Sequence, residues 1–209
     1  MALSILNYIL NKFKRLEISP PGYETKKLIE LANNYLTGIE KPKVVDIGAG
    51  TGEITFKLVK NNFYMTATEP NQTARIELKK NIDKLNYNDK IKLVGGFFMN
   101  ECEDYYDCII FNPPRFFTGS SLKNKIIGLV KRTPLINQFA TNVLNSFVSK
   151  NRVINLLKFI SQALTKLEDE GFILMHMTNI EYEYIFRNLN LKVNKSSIND
   201  REVIIQIKN

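Results

Sequence analysis

Apolar and polar positions along this chain switch between a period near 3.6 and short unbroken apolar runs, and the switches lay out its elements. Within Met1–Leu16, Ile5, Tyr8, Ile9 and Phe13 recur at helical spacing, with Lys12, Lys14 and Arg15 behind them. A signal peptide carries its charges ahead of the apolar stretch. The reading is therefore an amphipathic helix packed on the domain, an N-terminal helical extension over residues 1–20, with surface membrane contact as the lesser alternative. Ser19-Pro20-Pro21-Gly22 breaks the pattern, and a helix over Glu24–Leu36 follows, ended by Gly38.

From Lys43 the chain alternates. Val44–Ile47 reads as a buried strand, Gly52–Lys60 as a helix, Tyr64–Thr68 as a strand and Gln72–Leu85 as a helix. Lys92–Val94 and Cys108–Phe111 read as strands. In Arg152–Leu167 a helical stripe carries Val153, Leu156, Leu157, Ile160, Ala163, Leu164 and Leu167. Phe172–Met177 is the next strand, and Leu191–Val193 with Val203–Ile207 forms a terminal strand pair. Alternating strands and helices predict an α/β domain over 21–209, with a mostly parallel sheet covered on both faces.

Composition narrows the classes. With 209 residues, 44% of them hydrophobic, the chain can bury one sizeable core, and no apolar run is long enough to span a membrane. Cys102, Cys108 and His176 are its only soft ligands, which all but excludes a structural zinc site, so no metal is expected. Two cysteines suit a reducing, cytoplasmic setting. Both read as small packing residues, and His176 as a core or edge histidine, the alternative being a place beside the pocket.

The charge of +8 is unevenly spread. Between Cys108 and Leu167 there is no acidic residue and there are nine basic ones: Arg115, Lys123, Lys125, Lys131, Arg132, Lys150, Arg152, Lys158 and Lys166. The remaining chain is nearly neutral. A polyanion partner is one reading of this block, and lysine bias on solvated faces is the other. Its apolar residues, Ile126, Ile127, Leu129 and Val130 among them, indicate that it folds onto something.

Two motifs carry candidate chemistry. Asp46-Ile47-Gly48-Ala49-Gly50-Thr51-Gly52 joins the first strand to its helix, with glycines that let a ligand approach the backbone. A dinucleotide fingerprint would place a third glycine where Glu53 stands, and that carboxylate would meet a pyrophosphate at the helix start. Nineteen residues after Gly50, the second strand ends in Glu69-Pro70-Asn71. A carboxylate there can accept both ribose hydroxyls. A phosphate-free glycine loop with a ribose-binding carboxylate points to S-adenosyl-L-methionine.

The second motif is Asp107-Cys108-Ile109-Ile110-Phe111-Asn112-Pro113-Pro114-Arg115-Phe116. Paired prolines after a buried strand make a rigid turn at the carboxyl end of the sheet, where open α/β sheets place their ligands. The Asn112 side-chain carbonyl and the Pro113 main-chain carbonyl are two acceptors that can hold the hydrogens of a planar amino group and aim its nitrogen at a methyl donor. Such a transfer needs positioning more than acid–base groups, which agrees with the scarcity of histidine and cysteine.

With these motifs the chain resembles class I S-adenosylmethionine-dependent methyltransferases of the Asn-Pro-Pro branch, which holds adenine-N6 methyltransferases and HemK-like glutamine-N5 methyltransferases of release factors. The resemblance runs from Tyr23 to the C-terminus. Tyr23-Glu24-Thr25-Lys26-Lys27-Leu28 is similar to the helix before the HemK-like cofactor loop, and the helix leading into Glu170-Gly171-Phe172 closes the match. It implies a Rossmann-like seven-stranded sheet with the last strand antiparallel. It also implies cofactor contacts at Asp46, Gly48, Gly50, Gly52, Glu69, Pro70, Phe97 and Asn112, and catalytic positioning by Asn112 and Pro113. The substrate side would include Thr25, Pro114, Arg115, Phe116 and Phe117, with residues 115–151 as an insertion presenting Lys123, Lys125, Lys131 and Arg132.

Two places depart from the family pattern. Arg115 stands where an aromatic residue is usual, leaving Phe116 or Phe117 to supply the ring. Val94-Gly95-Gly96-Phe97 lacks the acidic residue that commonly meets the adenine, leaving main-chain groups and Phe97. The favoured substrate is a nucleic acid, RNA ahead of DNA, with transfer to adenine N6. The alternatives are a protein glutamine amide and a small molecule.

Overall fold

The computed structural model describes residues 22–113, 152–187, 189 and 191–208, and all structural statements below concern these. The N-terminal extension, Pro114, Arg115, Phe116, Phe117, Lys123, Lys125, Lys131 and Arg132 lie outside them.

The elements run α1 (Tyr23–Leu36), β1 (Lys43–Ile47), α2 (Glu53–Val59), β2 (Tyr64–Thr68), α3 (Gln72–Lys84), β3 (Ile91–Val94) and β4 (Tyr106–Phe111). Then come α4 (152–164), β5 (Leu167–Thr178), α5 (Asn179–Phe186), β6 (Lys192–Ser197) and β7 (Glu202–Lys208). One seven-stranded sheet has the order β3-β2-β1-β4-β5-β7-β6. β3, β2, β1, β4 and β5 pair in parallel, and β7 runs antiparallel to both its neighbours. The sheet therefore has the strand number and the antiparallel last strand that the resemblance implied.

The central strands read as continuous apolar runs because both their faces are covered. Val44, Val45, Ile47, Cys108, Ile109, Ile110, Ile173, Leu174 and Met175 are all buried. Over one face, α1 lays down Leu28, Ala32 and Leu36 at i, i+4 and i+8 beside Leu58, Leu78 and Ile82. Phe98, Phe111 and Phe159 form a second cluster, the last two with ring centroids 4.5 Å apart. The two cysteines are free and buried, and burial pushes both thiols up.

Four expectations need correction. The helix expected through Leu167 ends at 164, and Leu167 opens β5. On that helix Phe159 faces the core and Leu157 does not; 156, 159, 160 and 163 make the i+3/i+4 stripe, which 157 leaves. β4 and β6 are longer than the apolar runs that marked them, because main-chain pairing continues through polar residues. α5 is an additional helix. Its exposed Ile180 and Tyr184 give no apolar stripe, but Thr178 and Glu181 form a reciprocal capping box that the sequence did display.

A bulge interrupts β4–β5 pairing. Tyr106 pairs with Leu167 and Cys108 with Phe172, so β5 carries extra residues around Gly171 before it falls back into step. A side chain at Gly171 would run into the Tyr106 carbonyl, 2.7 Å from where its Cβ would stand.

Candidate functional site

β1 leads out to β2 and β3 on one side of the sheet, and β4 lies on its other side, so the strand order reverses between β1 and β4. Open α/β sheets bind ligands at the carboxyl ends of strands beside such a reversal. Those ends carry the two motifs: Gly48 to Gly52 after β1, and Asn112-Pro113 after β4.

The glycine loop hangs from the end of β2 by three consecutive amides. Gly48 N donates to Thr68 Oγ1 at 3.2 Å, Ala49 N to the Thr68 carbonyl at 2.9 Å, and Gly50 N to Glu69 Oε2 at 2.8 Å. Gly48, Gly50 and Gly52 have φ of 70°, 57° and 93°, a region costly for other residues. Gly52 has no room for a side chain either, since Leu78 and Phe56 stand 2.6 Å from its Cβ position.

Glu69 is buried, and its other oxygen, Oε1, accepts from Asn71 N at 2.7 Å. Each carboxylate oxygen thus receives one main-chain amide, and two oxygens with two lone pairs apiece are chemistry suited to a vicinal diol. Asn71 caps α3, its Oδ1 accepting from Thr73 N and Ala74 N. Arg75, which the sequence reading passed over, donates from Nη1 to the Glu69 carbonyl at 2.6 Å and lies against Gly95, bracing the loops after β2 and β3 together. Pro70 is partly buried beside them, and Phe97 is 48% exposed on the loop after β3. Glu101 fills the space over Gly96, bringing an acidic residue to the strand end whose own sequence lacks one.

Asp46 sits beneath the loop. It is buried, and its Oδ2 accepts from the Thr55 hydroxyl at 2.7 Å. Burial pushes its carboxyl up to about 6, against the hydrogen bonds from Thr55 and with added repulsion from Glu69.

At the end of β4, Asn112 draws on two distant segments. Its Nδ2 donates to Thr25 Oγ1 at 3.1 Å, bringing together two residues that the sequence reading assigned to one site. Its Oδ1 lies 3.2 Å from His176 Nδ1. His176 is therefore buried, as a core histidine would be, and also stands beside this corner, the alternative given for it. No local signal marked the contact, because it depends on which β5 residue the bulge brings level with the end of β4. His176 Nε2 lies 3.9 Å from Glu202 Oε1 on β7. Pro113 is buried behind Asn112.

The methyltransferase small domain family matches residues 25–134, more than half of the chain and both motif loops. The chain belongs to this family. Among curated relatives, this methyltransferase small domain is 26% identical over 103 residues to a tRNA1(Val) (adenine(37)-N6)-methyltransferase of Trichodesmium erythraeum, covering 46% of this chain and 43% of that one. It is 36% identical over 98 residues to a release factor glutamine methyltransferase of Streptococcus pneumoniae, covering 45% and 33%. The matched region thus spans less than half the length of either relative. Among solved structures, a T. thermophilus 16S rRNA N2 methyltransferase in complex with AdoMet and guanosine shares the fold, with a TM-score of 0.61, 18% identity and coverage of 91% and 44%. Among the described residues no acidic, histidine or cysteine cluster could hold a metal, and no helix is long and apolar enough to cross a membrane.

Proposed function

We infer that this methyltransferase small domain transfers a methyl group to a planar amino nitrogen, with adenine N6 in RNA, ahead of DNA, as the favoured acceptor. One observation carries the reading: Asn112 and the Glu69-anchored glycine loop lie at the carboxyl ends of neighbouring strands, at the reversal of the sheet. Bound S-adenosyl-L-methionine would supply a methyl group activated by a sulfonium. The Glu69 carboxylate suits its ribose, Gly48 and Gly50 admit it close to the backbone, and Asp46 braces the loop from below through Thr55. Pro70 and Phe97 flank the adenine side.

On the acceptor side, Asn112 Oδ1 and the Pro113 carbonyl hold the two amino hydrogens and so aim the nitrogen lone pair along the bond to be broken. With the cofactor bound, the nitrogen held by these two acceptors would receive its methyl group and release one proton to solvent. No acid is required for the leaving group. Pro114, Arg115, Phe116 and Phe117 follow directly in sequence and are the residues to grip the acceptor plane, Arg115 by stacking or by pairing with an anion. The acid-free block of residues 115–151 favours a polyanion, and the tRNA methyltransferase relative agrees with that preference. A protein glutamine amide is the second reading, favoured by the relative named for release factors. The buried free thiols suit a reducing cytoplasmic compartment.

The deciding experiment is transfer of labelled methyl groups into total RNA, total DNA and total protein from the source cell. Label in RNA is expected. Label confined to protein would put the glutamine reading in front. Neutralising Lys123, Lys125, Lys131 and Arg132 together should flatten the salt dependence of RNA binding by roughly 0.7 to 0.9 log units of slope for each phosphate left without its cation.

A further inference from the structure

His176 touches the proposed acceptor-orienting residue yet has no part in the reading above. A primary amide is nearly symmetrical in shape, and a half-turn about its last torsion exchanges its oxygen and its amino group. Only one of the two orientations offers a carbonyl lone pair to an incoming amine; the other offers hydrogens that repel it. Something must choose between them.

Thr25 cannot choose. Its hydroxyl accepts from Asn112 Nδ2 at 3.1 Å, but it would equally donate to an oxygen placed there after a half-turn. A ring nitrogen bearing hydrogen can only donate, so it tolerates oxygen and rejects an amino group. His176 Nδ1 stands 3.2 Å from Oδ1 in a buried setting where a wrong pairing would find little water to relieve it. Behind the ring, Glu202 Oε1 lies 3.9 Å from Nε2. The two residues are diagonal neighbours across the antiparallel pair, His176 opposite Ile204 and Glu202 opposite Thr178. The ring thus lies between a carbonyl oxygen and a carboxylate, and hydrogen on both nitrogens suits both neighbours.

We propose that His176 is a positioning residue for the transfer: its Nδ1–H holds the Asn112 carbonyl in the orientation that receives the acceptor amine, with Glu202 supporting the ring from Nε2. One lone pair of Oδ1 goes to the ring and the other serves the acceptor. The proposal rests on the role given to Asn112 above.

The chain has a single histidine, so ring-nitrogen NMR spectra of the whole chain contain one imidazole. Nδ1 is expected to carry hydrogen, and Asn112→Ala should shift its signal. A bare Nδ1 would overturn the lock without any appeal to activity. In turnover, His176→Phe should lower kcat by about tenfold or more while cofactor Kd stays unchanged. His176→Asn, whose own amide can donate or accept after a half-turn, should recover only part of that loss; full recovery would overturn a donor-only lock. In an Asn112→Ala background, His176→Phe should cost nothing further, whereas additive losses would assign the ring some other task. Parental turnover in His176→Phe beside an impaired Asn112→Ala overturns the lock alone; parental turnover in Asn112→Ala overturns the underlying reading. If His176→Phe fails to fold, the parent's ring spectrum decides.

Discussion

The loop after β1 and the corner after β4 are neighbours in space but are held by different kinds of bond. The loop is fastened by its own main-chain amides to Thr68 and Glu69, 19 to 20 residues ahead and within one strand–helix–strand unit. The corner is fastened by side chains reaching across 87 residues to Thr25 and 64 to His176. Main-chain fastening depends on backbone shape, so a few glycines and one acid write it into a short stretch of sequence. Side-chain fastening depends on the assembled sheet, so no short stretch contains it.

The contrast implies that the two regions break separately. Glu69→Ala should have the largest effect, because it removes the acceptors for Gly50 N and Asn71 N together with those offered to the ribose. With each bond to a charged acceptor worth on the order of 1.5–3 kcal/mol, cofactor Kd should rise by at least about a hundredfold. Calorimetry that finds parental affinity in Glu69→Ala would erase the distinction between the regions. Asn112→Ala comes next. Turnover should fall by about ten- to a hundredfold while cofactor affinity holds. A matching loss of affinity would mean that the corner and the loop act as one unit.

A change read in stability alone, leaving turnover and affinity aside, sharpens the picture of the loop. Asp46 has its carboxyl raised from 3.8 to about 6 in the folded chain, so the folded state binds this proton more tightly than the unfolded state does. Its contribution to stability is full below about pH 4 and is lost as the pH rises through about 6. Asp46→Asn cannot ionise and keeps an acceptor for Thr55. Its stability relative to the parent should therefore improve between pH 4 and 7 by roughly 2–3 kcal/mol and then level off. Urea titrations of both proteins across that range would measure it, and a difference independent of pH would place the cost elsewhere.

The same division explains what is legible before the chain is folded. Strands buried on both faces announce themselves as Val44–Ile47 and Cys108–Phe111, and the glycine loop and Glu69 follow from spacing. Thr25 and Asn112 fall to one site by resemblance, but their hydrogen bond is not visible in the sequence, nor is the place of His176 beside them. Arg75 escapes because an arginine on an amphipathic helix looks like any solvated cation until the helix is docked. α5 escapes because Ile185 is the one apolar side chain it buries while Ile180 and Tyr184 stay exposed, so no stripe forms, although its capping box is plain in the sequence.

The bulge around Gly171 acts as a ruler for the neighbouring strand. Every residue of β5 beyond it, His176 included, takes its height and its face from how many residues the bulge absorbs. Removing or adding one residue between Leu167 and Phe172 would slide the rest of the strand by about 3.3 Å and turn it to the opposite face. His176 would then leave Asn112 and Met175 or Met177 would take its place. Length in this short segment is thus under tighter constraint than the identity of the residues in it. An engineer grafting this corner onto another sheet must copy the spacing before copying the side chains.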